Sequence, residues 1–178
     1  MTDMLTQRHA TFSDDGDLRW TLTRSFLLAA NGGKGLMWIG GNPAKAGADS
    51  DDMTSMRWDH FTKAWGYSRY LGMNPIPKIS STPDDARAWL MGGGIEVDAA
   101  IEHNLSLIEA LAPDYDMHVV CWGNIVQNDW LLDRVIKAIN RPLFCLGTNS
   151  DGSPRHPMAR GRHRVPDDQQ PVLWRDAA

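Results

Sequence analysis

The stretch GLMWIGGNPAKAGADSDDMT, residues 35–54, decides the fold. It begins with an apolar run at 36–39 that has the length and composition of a buried strand. Two glycines and a polar loop follow, and then a helical pattern places Trp58, Phe61 and Trp65 on one face. A strand, a glycine turn, a polar loop and a helix in this order build ligand sites in open α/β sheets, because the loops after parallel strands converge on one edge.

The same alternation continues along the chain and predicts a parallel sheet. Apolar runs cover 36–40, 70–73, 119–122 and 143–146. Helical patterns cover 53–65, 97–111 and 125–139, with a shorter one near 84–90. Strands that alternate with helices form βαβ units with right-handed crossovers. Upstream, alternating residues in 11–26 around the turn-forming residues 13–17 predict a β-hairpin.

Length and composition predict one globular domain over residues 1–178, with a hairpin extension at 1–34 and a basic loop and tail at 151–178. The hydrophobic fraction of 42% and the charged fraction of 22% are ordinary for a globular protein. No apolar run reaches the roughly 18 residues that a membrane span needs, and residues 1–13 lack the apolar core of a secretion signal. We therefore expect a cytoplasmic protein without a membrane partner, an obligate protein partner or a cofactor. Cys121 and Cys145 lie in apolar runs, which predicts buried thiols.

The charge distribution indicates where a polyanion would bind. The net charge of −4 argues against a protein that coats nucleic acid non-specifically. Residues 155–164 nevertheless contain four arginines and no acid. This patch is either a solvated loop or the one basic surface through which an acidic body contacts a polyanion.

Each of the four predicted strands is followed by an asparagine. These residues are Asn42, Asn74, Asn124 and Asn149. One such asparagine is readily explained as a turn residue, but four at the same sheet edge suggest a site. An amide offers both donors and acceptors, which reading the edge of a nucleobase requires.

His156 follows the fourth strand, in Gly-Ser-Pro-Arg-His-Pro-Met at 152–158. Prolines on either side restrict the backbone, so the imidazole is held in place. It can act as an acid, as a neutral donor to developing negative charge or as a metal ligand, or it is a plain surface residue.

The acidic loop with Asp49, Asp51 and Asp52 has three interpretations. Asp52 can cap the helix that begins at Met53, one carboxylate can orient a water molecule, or several can bind a divalent cation. The sequence has no companion ligand at convincing spacing, so a metal site is not expected.

Short motifs along nearly the whole chain resemble a family of bacterial and phage domains of unknown function. They are Arg19-Trp20-x-Leu22, Asn42-Pro43-Ala44-x-Ala46, Asp51-Asp52-x-Thr54, Gly66-Tyr67, Asn74-x-x-Pro77, Trp122-Gly123 and Gly152-x-Pro154-Arg155-His156-Pro157. Ala44 departs from the serine or threonine that is common in that family.

The layout is also similar, more distantly, to the uracil-DNA glycosylase superfamily. That resemblance implies an α/β three-layer sandwich with a four-stranded parallel sheet, to which the N-terminal hairpin is added. Gly40-Gly41-Asn42-Pro43-Ala44 matches the superfamily's first motif with Ala for its last Gly. His156-Pro157-Met158-Ala159 matches its last motif without the second Pro.

The resemblance implies a role for each matching residue. Asn42 positions the attacking water, Asn74 reads the flipped base and His156 stabilises the departing base. The remaining assignments follow from the residue types: Asp51 as a further catalytic residue, Pro43, Trp58 and Asn124 at the base, and Arg155, Met158, Arg160 and Arg162 on DNA.

The function expected from these assignments is a metal-independent DNA glycosylase. It removes a modified or damaged base from DNA, for example a modified pyrimidine of phage DNA in a defence role. Three alternatives stay open: a non-catalytic nucleic-acid or nucleotide-binding module, a metal-dependent hydrolase acting through the acidic loop, and a plain soluble α/β domain whose polar turns are structural.

Overall fold

The structure, a computed structural model, describes residues 6–27 and 33–177. The strands are β1 (Thr6–Phe12), β2 (Arg19–Phe26), β3 (Gly35–Ile39), β4 (Arg69–Met73), β5 (Met117–Val120), β6 (Leu143–Cys145) and β7 (Val172–Arg175). The α-helices are α1 (Met53–Ala64), α2 (Pro83–Gly92), α3 (Ile95–Leu111) and α4 (Asp129–Ile139). The strands form one mixed sheet in the order β1-β2-β4-β3-β5-β6-β7.

The four predicted strands lie side by side at the centre of this sheet. β3 pairs in parallel with β4 on one side and with β5 on the other, and β5 pairs in parallel with β6. Their carboxyl ends therefore share one edge, as the sequence predicted.

The extent of the sheet corrects the sequence prediction. The predicted hairpin forms, but β2 pairs antiparallel with β4, so the hairpin belongs to the main sheet and is no separate extension. At the other side β7 pairs antiparallel with β6, although the tail from 151 showed little periodicity. The sheet is therefore seven-stranded and mixed, where a four-stranded parallel sheet was expected.

Helices cover both faces of the sheet. Trp58 and Phe61 of α1 pack with Leu36, Trp38 and Tyr70 on one face. The other face, which includes Met37, Ile39 and Leu71, packs against apolar residues of α2, α3 and α4. Alternate residues of β3 thus enter different cores, and all five of them are buried, as expected for a central strand.

The helix boundaries follow from their caps. Asp52 caps α1, because its Oδ1 accepts a hydrogen bond from the Ser55 amide at 2.8 Å. α4 begins later than the predicted 125, because the Asn128 side chain caps it and Gln127 has a left-handed φ of 44°. Both cysteines are free and buried, as predicted.

Among the described residues, no helix combines the length and the apolar character needed to cross a membrane.

Candidate functional site

A small cavity lies at the carboxyl ends of β3 and β4. Its walls include Arg19 from β2, Asn42 after β3, Asp52 and Trp58 at α1, Asn74 after β4, and His156 from the loop after β6. Its volume is about 30 Å³, which is enough for a water-sized group. The sheet topology thus brings Asn42, Asn74 and His156 to one place, although more than 80 residues separate Asn74 from His156.

Asn42 has a fixed amide orientation. Its Nδ2 donates to the carbonyl oxygens of Pro43 at 3.1 Å and Ser80 at 3.0 Å. Two carbonyl partners identify the nitrogen end of the amide. Oδ1 is therefore the acceptor that Asn42 retains for a ligand or a water molecule.

Asn74 is 2% exposed and is held through its backbone. The Asn104 side chain of α3 donates to the Asn74 carbonyl oxygen at 2.8 Å. Asn74 Nδ2 itself is buried and has no hydrogen-bond partner in the described part of the chain. The Asn74 amide is thus positioned by the fold and keeps its donors unused.

The loop that carries His156 is anchored to the end of β5. The Gly123 amide donates to the Pro154 carbonyl at 3.0 Å, and Gly123 has a φ of 57°. A Cβ at Gly123 would lie 3.1 Å from the Cβ of His156, so glycine permits the close approach of the two segments.

His156 is neutral and its tautomer is set by the backbone. The Met158 amide donates to His156 Nδ1 at 3.2 Å, so the ring hydrogen is on Nε2. Burial lowers the pKa of His156 to about 4, and the negative charge of Asp52 only partly opposes this. At neutral pH the cavity therefore contains an imidazole that can donate a hydrogen bond without carrying charge.

Arg19 brings a buried guanidinium to the cavity. It is 3% exposed, and its Nη1 donates to the Ala46 carbonyl at 2.7 Å. Across residues 6–27 and 33–177 it forms no salt bridge, and its Nε has no partner. Burial lowers the pKa of Arg19 to about 10, while Asp52 favours the charged form, so the side chain stays cationic at neutral pH.

The acidic loop divides into separate structural roles. Asp51, predicted as catalytic, does not line the cavity, because its carboxylate pairs with Arg8 and Arg24. Those two arginines lower the pKa of Asp51 against the effect of burial. Asp52 faces the cavity while it caps α1, so it is the loop carboxylate closest to any bound group.

The same loop does not assemble a metal site. In the described ranges, no three His, Cys, Asp or Glu side chains are placed so that they could hold a metal ion.

Trp58 forms the floor of the cavity as a core residue. It is 2% exposed and stacks on Trp38 with ring centroids 6.0 Å apart. A Cβ at Gly72 would lie 2.5 Å from its ring, so β4 needs glycine there. Because Trp58 is almost fully buried and one face of its ring is covered by Trp38, it offers no open face on which a base could stack.

A much larger groove of about 830 Å³ lies beside the cavity, between α4 and the segment that ends in β7. Asn124 lines this groove and not the cavity. The Ser153 hydroxyl is 2.9 Å from Asn124 Oδ1 and accepts from Asn149 Nδ2 at 3.0 Å. The four asparagines therefore split into two pairs, and the second pair holds the 148–154 loop in place.

A basic groove of about 320 Å³ adjoins the His156 segment. Met158 and Arg160 line it, together with Arg57 of α1 and Arg164. The two other predicted DNA contacts lie elsewhere.

Those two arginines make local contacts. Arg155 Nε donates to the Thr148 carbonyl at 3.0 Å, and Arg162 Nε lies 3.0 Å from His163. Neither is among the residues that line the basic groove.

The family described as "Protein of unknown function (DUF1643)" matches residues 19–158. The chain belongs to this family. The matched region contains every cavity residue from Arg19 to His156. No curated protein and no solved structure matches the chain at a significant level.

Sequence reasoning about this family member missed two residues at the site. Arg19 belonged to a motif without an assigned role, and no local signal marks it, because alternation along β2 buries Leu22, Arg24 and Phe26 and would leave Arg19 on the other face. Asn104 interrupts the apolar stripe of α3, where it is 1% exposed. A polar residue on a buried face indicates a specific hydrogen bond, and here that bond fixes Asn74.

Proposed function

We propose that this protein is a DNA glycosylase that hydrolyses the N-glycosidic bond of a modified or damaged base and leaves an abasic site. The observation that carries the proposal is the convergence of Asn42, Asn74 and neutral His156 on one cavity. These three residues are also the ones that the resemblance to the uracil-DNA glycosylase superfamily pairs with water positioning, base reading and stabilisation of the departing base.

The residue chemistry fits this reaction. As the bond between C1′ and the base nitrogen breaks, its electron pair stays on the base. Water oxygen bonds to C1′, and the proton that the water loses is balanced by protonation of the departing base anion. The Nε2–H of His156 and the guanidinium of Arg19 are donors for the negative charge that develops on the base. Asn42 Oδ1 is an acceptor that can orient the attacking water.

Base entry requires the cavity to widen, because about 30 Å³ is too small for a whole base. Two walls are loops, 40–52 and 154–158, and Asn74 also follows its strand, whereas the remaining walls belong to β2 and α1. We place the opening movement between these two loops, since binding often rearranges loops while the sheet stays fixed. The free-energy cost of binding a flipped base then includes the cost of separating these two loops.

The basic groove supplies a surface for the DNA backbone. His156 lines the cavity, and the next two residues, Pro157 and Met158, line the groove. A base in the cavity and its flanking phosphate near Arg160 would thus sit on either side of one short segment. The arginines neutralise phosphate charge although the whole chain is acidic.

The test is release of base from DNA in the presence of EDTA. The purified protein is incubated with duplex and single-stranded DNAs that carry natural, deaminated and phage-type modified pyrimidines, and abasic sites are revealed by alkaline cleavage. We expect release from one class of base. Asn42→Ala and His156→Ala should each reduce the rate by about 10²–10³-fold, the usual loss for a group that stabilises a charged transition state.

Asn124→Ala is the matched control, because it removes a strand-end amide outside the cavity. Its release rate should stay within about twofold of the unmodified protein, as for a surface substitution. Base release that survives in both cavity variants would contradict the assigned roles, and no release from any of the DNAs would contradict the glycosylase itself.

The small cavity volume favours one alternative, a nucleic-acid or nucleotide-binding module without catalysis. That function predicts binding to the same DNAs, weakened by Asn74→Ala, with no abasic product over any incubation time.

A further inference from the structure

The sheet ends at β7, and the outer edge of this strand has no partner strand in the described ranges. On its inner side β7 pairs with Leu143, Phe144 and Cys145 of β6. An edge strand presents a row of unpaired backbone N–H and C=O groups on its other side. The outer edge of β7 is therefore a template for another extended chain.

Two consecutive apolar side chains of β7 are exposed to solvent. Val172 is 46% exposed and Leu173 is 51% exposed. Trp174 follows them, and its half-buried ring packs against the core beside α4. An exposed edge strand with apolar residues is prone to pair with another chain, so β7 has both the backbone groups and the side chains for that contact.

The opposite edge of the same sheet is protected against such pairing. β1 exposes Gln7 and His9, and the charged Arg8 between them pairs with Asp51. Polar and charged side chains on an edge strand oppose its pairing with other chains. In β7 no charged residue precedes Arg175, the last residue of the strand. The two edges thus differ, and β7 is the edge that is open to a partner.

The wall beside the open edge is acidic. The large groove is lined by Asp129 and Asp133 of α4 and by Asp151, against a single arginine, Arg175. Within the described part of the chain, none of these three carboxylates forms a salt bridge. The Arg175 guanidinium lies instead over the Trp174 ring, 4.5 Å from its centroid. A cationic segment beside β7 would therefore find carboxylates that are free to pair.

The geometry of a strand connects the open edge with the acidic wall. Side chains of an added strand alternate between the two faces of the sheet, so every second one lies on the α4 side, where the groove is. The groove amides and carboxylate around Ser153 already have partners. The unpaired edge and the α4 carboxylates, and not the volume of the groove, therefore identify the docking surface.

We propose that β7 binds an extended basic segment of a partner protein, which adds a further strand to the sheet. Hydrogen bonds to the β7 backbone supply the affinity, and Asp129 and Asp133 select lysine or arginine at every second position. The groove shares no lining residue with the small cavity or with the basic groove. The inference is therefore independent of the proposed release of a base.

The test uses synthetic peptides as probes for the full chain. Two fluorescein-labelled hexapeptides are compared, one alternating arginine and valine and the other alternating glutamate and valine. Their dissociation constants are measured by fluorescence anisotropy at fixed low salt. The basic peptide should bind at least about tenfold more tightly, because the carboxylates attract one sequence and repel the other.

Backbone methylation of the basic peptide tests whether it binds as a strand. One isomer is N-methylated at its arginines and the other at its valines. In a strand, alternate amides face the neighbouring strand, so one isomer should bind at least about tenfold more weakly, through lost backbone hydrogen bonds. The other isomer should stay within about threefold of the unmethylated peptide, since its methyl groups face solvent.

Asp129→Asn combined with Asp133→Asn tests the acidic wall. This variant should bind the basic peptide about fivefold more weakly, the loss expected for two exposed ion pairs. The matched control combines Asp14→Asn in the β1–β2 turn with Asp114→Asn before β5, which changes the net charge equally at exposed positions away from the groove. It should bind within about twofold of the unmodified protein, as for remote surface substitutions, and circular dichroism verifies that both variants are folded.

Equal binding of the basic and the acidic peptide, a loss in neither or in both methylated isomers, or a loss that is the same in the two aspartate variants would overturn the inference. Sedimentation velocity of the protein alone tests the other occupant of the edge. A dimer that binds no peptide would assign β7 to a second copy of the chain, and a monomer that binds no peptide would equally contradict the proposal.

Discussion

The cavity and the large groove lie next to each other at the same end of the sheet, yet they differ in whether their polar groups have hydrogen-bond partners. The groove is more than twenty times larger by volume, at about 830 Å³ against about 30 Å³. At the groove, the Asn124 and Asn149 amides and the Asp151 carboxylate each lie within hydrogen-bond distance of the Ser153 hydroxyl. In the cavity, Arg19 and Asn74 keep donors that no described residue accepts.

This difference shows that size is a poor guide to a site in this fold. The groove groups around Ser153 already have hydrogen-bond partners within the protein and need no ligand for that purpose. In a small buried space, donors without acceptors lower the stability of the folded state. The cavity is therefore where substitutions should affect function and stability together.

The largest expected effect comes from the tryptophans that border the two spaces. Trp58→Ala should lower the free energy of unfolding by about 3–5 kcal/mol, because a buried aromatic leaves a large void between α1 and the sheet. Trp174→Ala, beside the groove, should lower it by only about 1–2 kcal/mol, since that residue is half-buried on the edge strand β7. Urea unfolding monitored by circular dichroism measures both values.

Equal losses in the two tryptophan variants would contradict the assignment of Trp58 to the core. A Trp58→Phe variant retains part of the packing and should recover more than half of the lost stability.

The next effect is a pH dependence that the cavity has and the groove lacks. Because burial lowers the pKa of His156 from 6.5 to about 4, the unfolded chain binds more protons at this residue between those values. The free energy of unfolding should then fall as pH falls, by about 2 kcal/mol between pH 7 and pH 5 from this residue alone. Urea unfolding at both pH values, in the unmodified protein and in His156→Gln, measures the contribution of His156 to this change.

The groove carboxyl of Asp151 titrates in another window. Its pKa is lowered by hydrogen bonds from Ser153, so its contribution is lost only as pH falls below the ordinary carboxyl range. Asp151→Asn should leave the change between pH 7 and pH 5 intact. If His156→Gln also leaves that change intact, His156 is not buried as a neutral group.

The smallest effect distinguishes two glycines with left-handed backbone. Gly123 has a φ of 57° and a Cβ there would lie 3.1 Å from the Cβ of His156, whereas at Gly152, with a φ of 80°, a Cβ meets nothing within 4 Å. Gly152→Ala should cost about 1 kcal/mol through backbone strain alone. Gly123→Ala should cost somewhat more, about 2 kcal/mol, and should also slow base release because it displaces His156. Equal stability and activity of the two variants would contradict the close packing at Gly123.

Much of the fold was predictable from local patterns. The apolar runs and the helical stripes predicted the four central strands and α1 to α4, because strand and helix periodicities can be recognised within a short stretch of sequence. The cap at Asp52 followed from its position before an apolar stripe. The predicted start of α4 at 125 was wrong, because the local pattern does not reveal the left-handed backbone of Gln127 or the cap at Asn128.

The outer strands and the division of the site were not predictable in this way. β7 contains four residues, Val172–Arg175, and it becomes a strand only because β6 offers it an unpaired edge. Asp51 and Asp52 are adjacent in the sequence. Asp51 pairs with Arg8 and Arg24, which are more than 25 residues away, whereas Asp52 faces the cavity.

The sequence by itself determined the α/β alternation, the edge at which the polar residues collect, and the candidacy of Asn42, Asn74 and His156, because each depends on residue order and local spacing. Only the tertiary structure decided that Asn124 lies outside the cavity and that Arg19 lines it. The physical reason is that burial and hydrogen-bond satisfaction depend on neighbours supplied by distant segments. In the sequence Arg19 is one more charged strand residue, but in the folded chain it is a buried cation with a donor that the described residues leave unused.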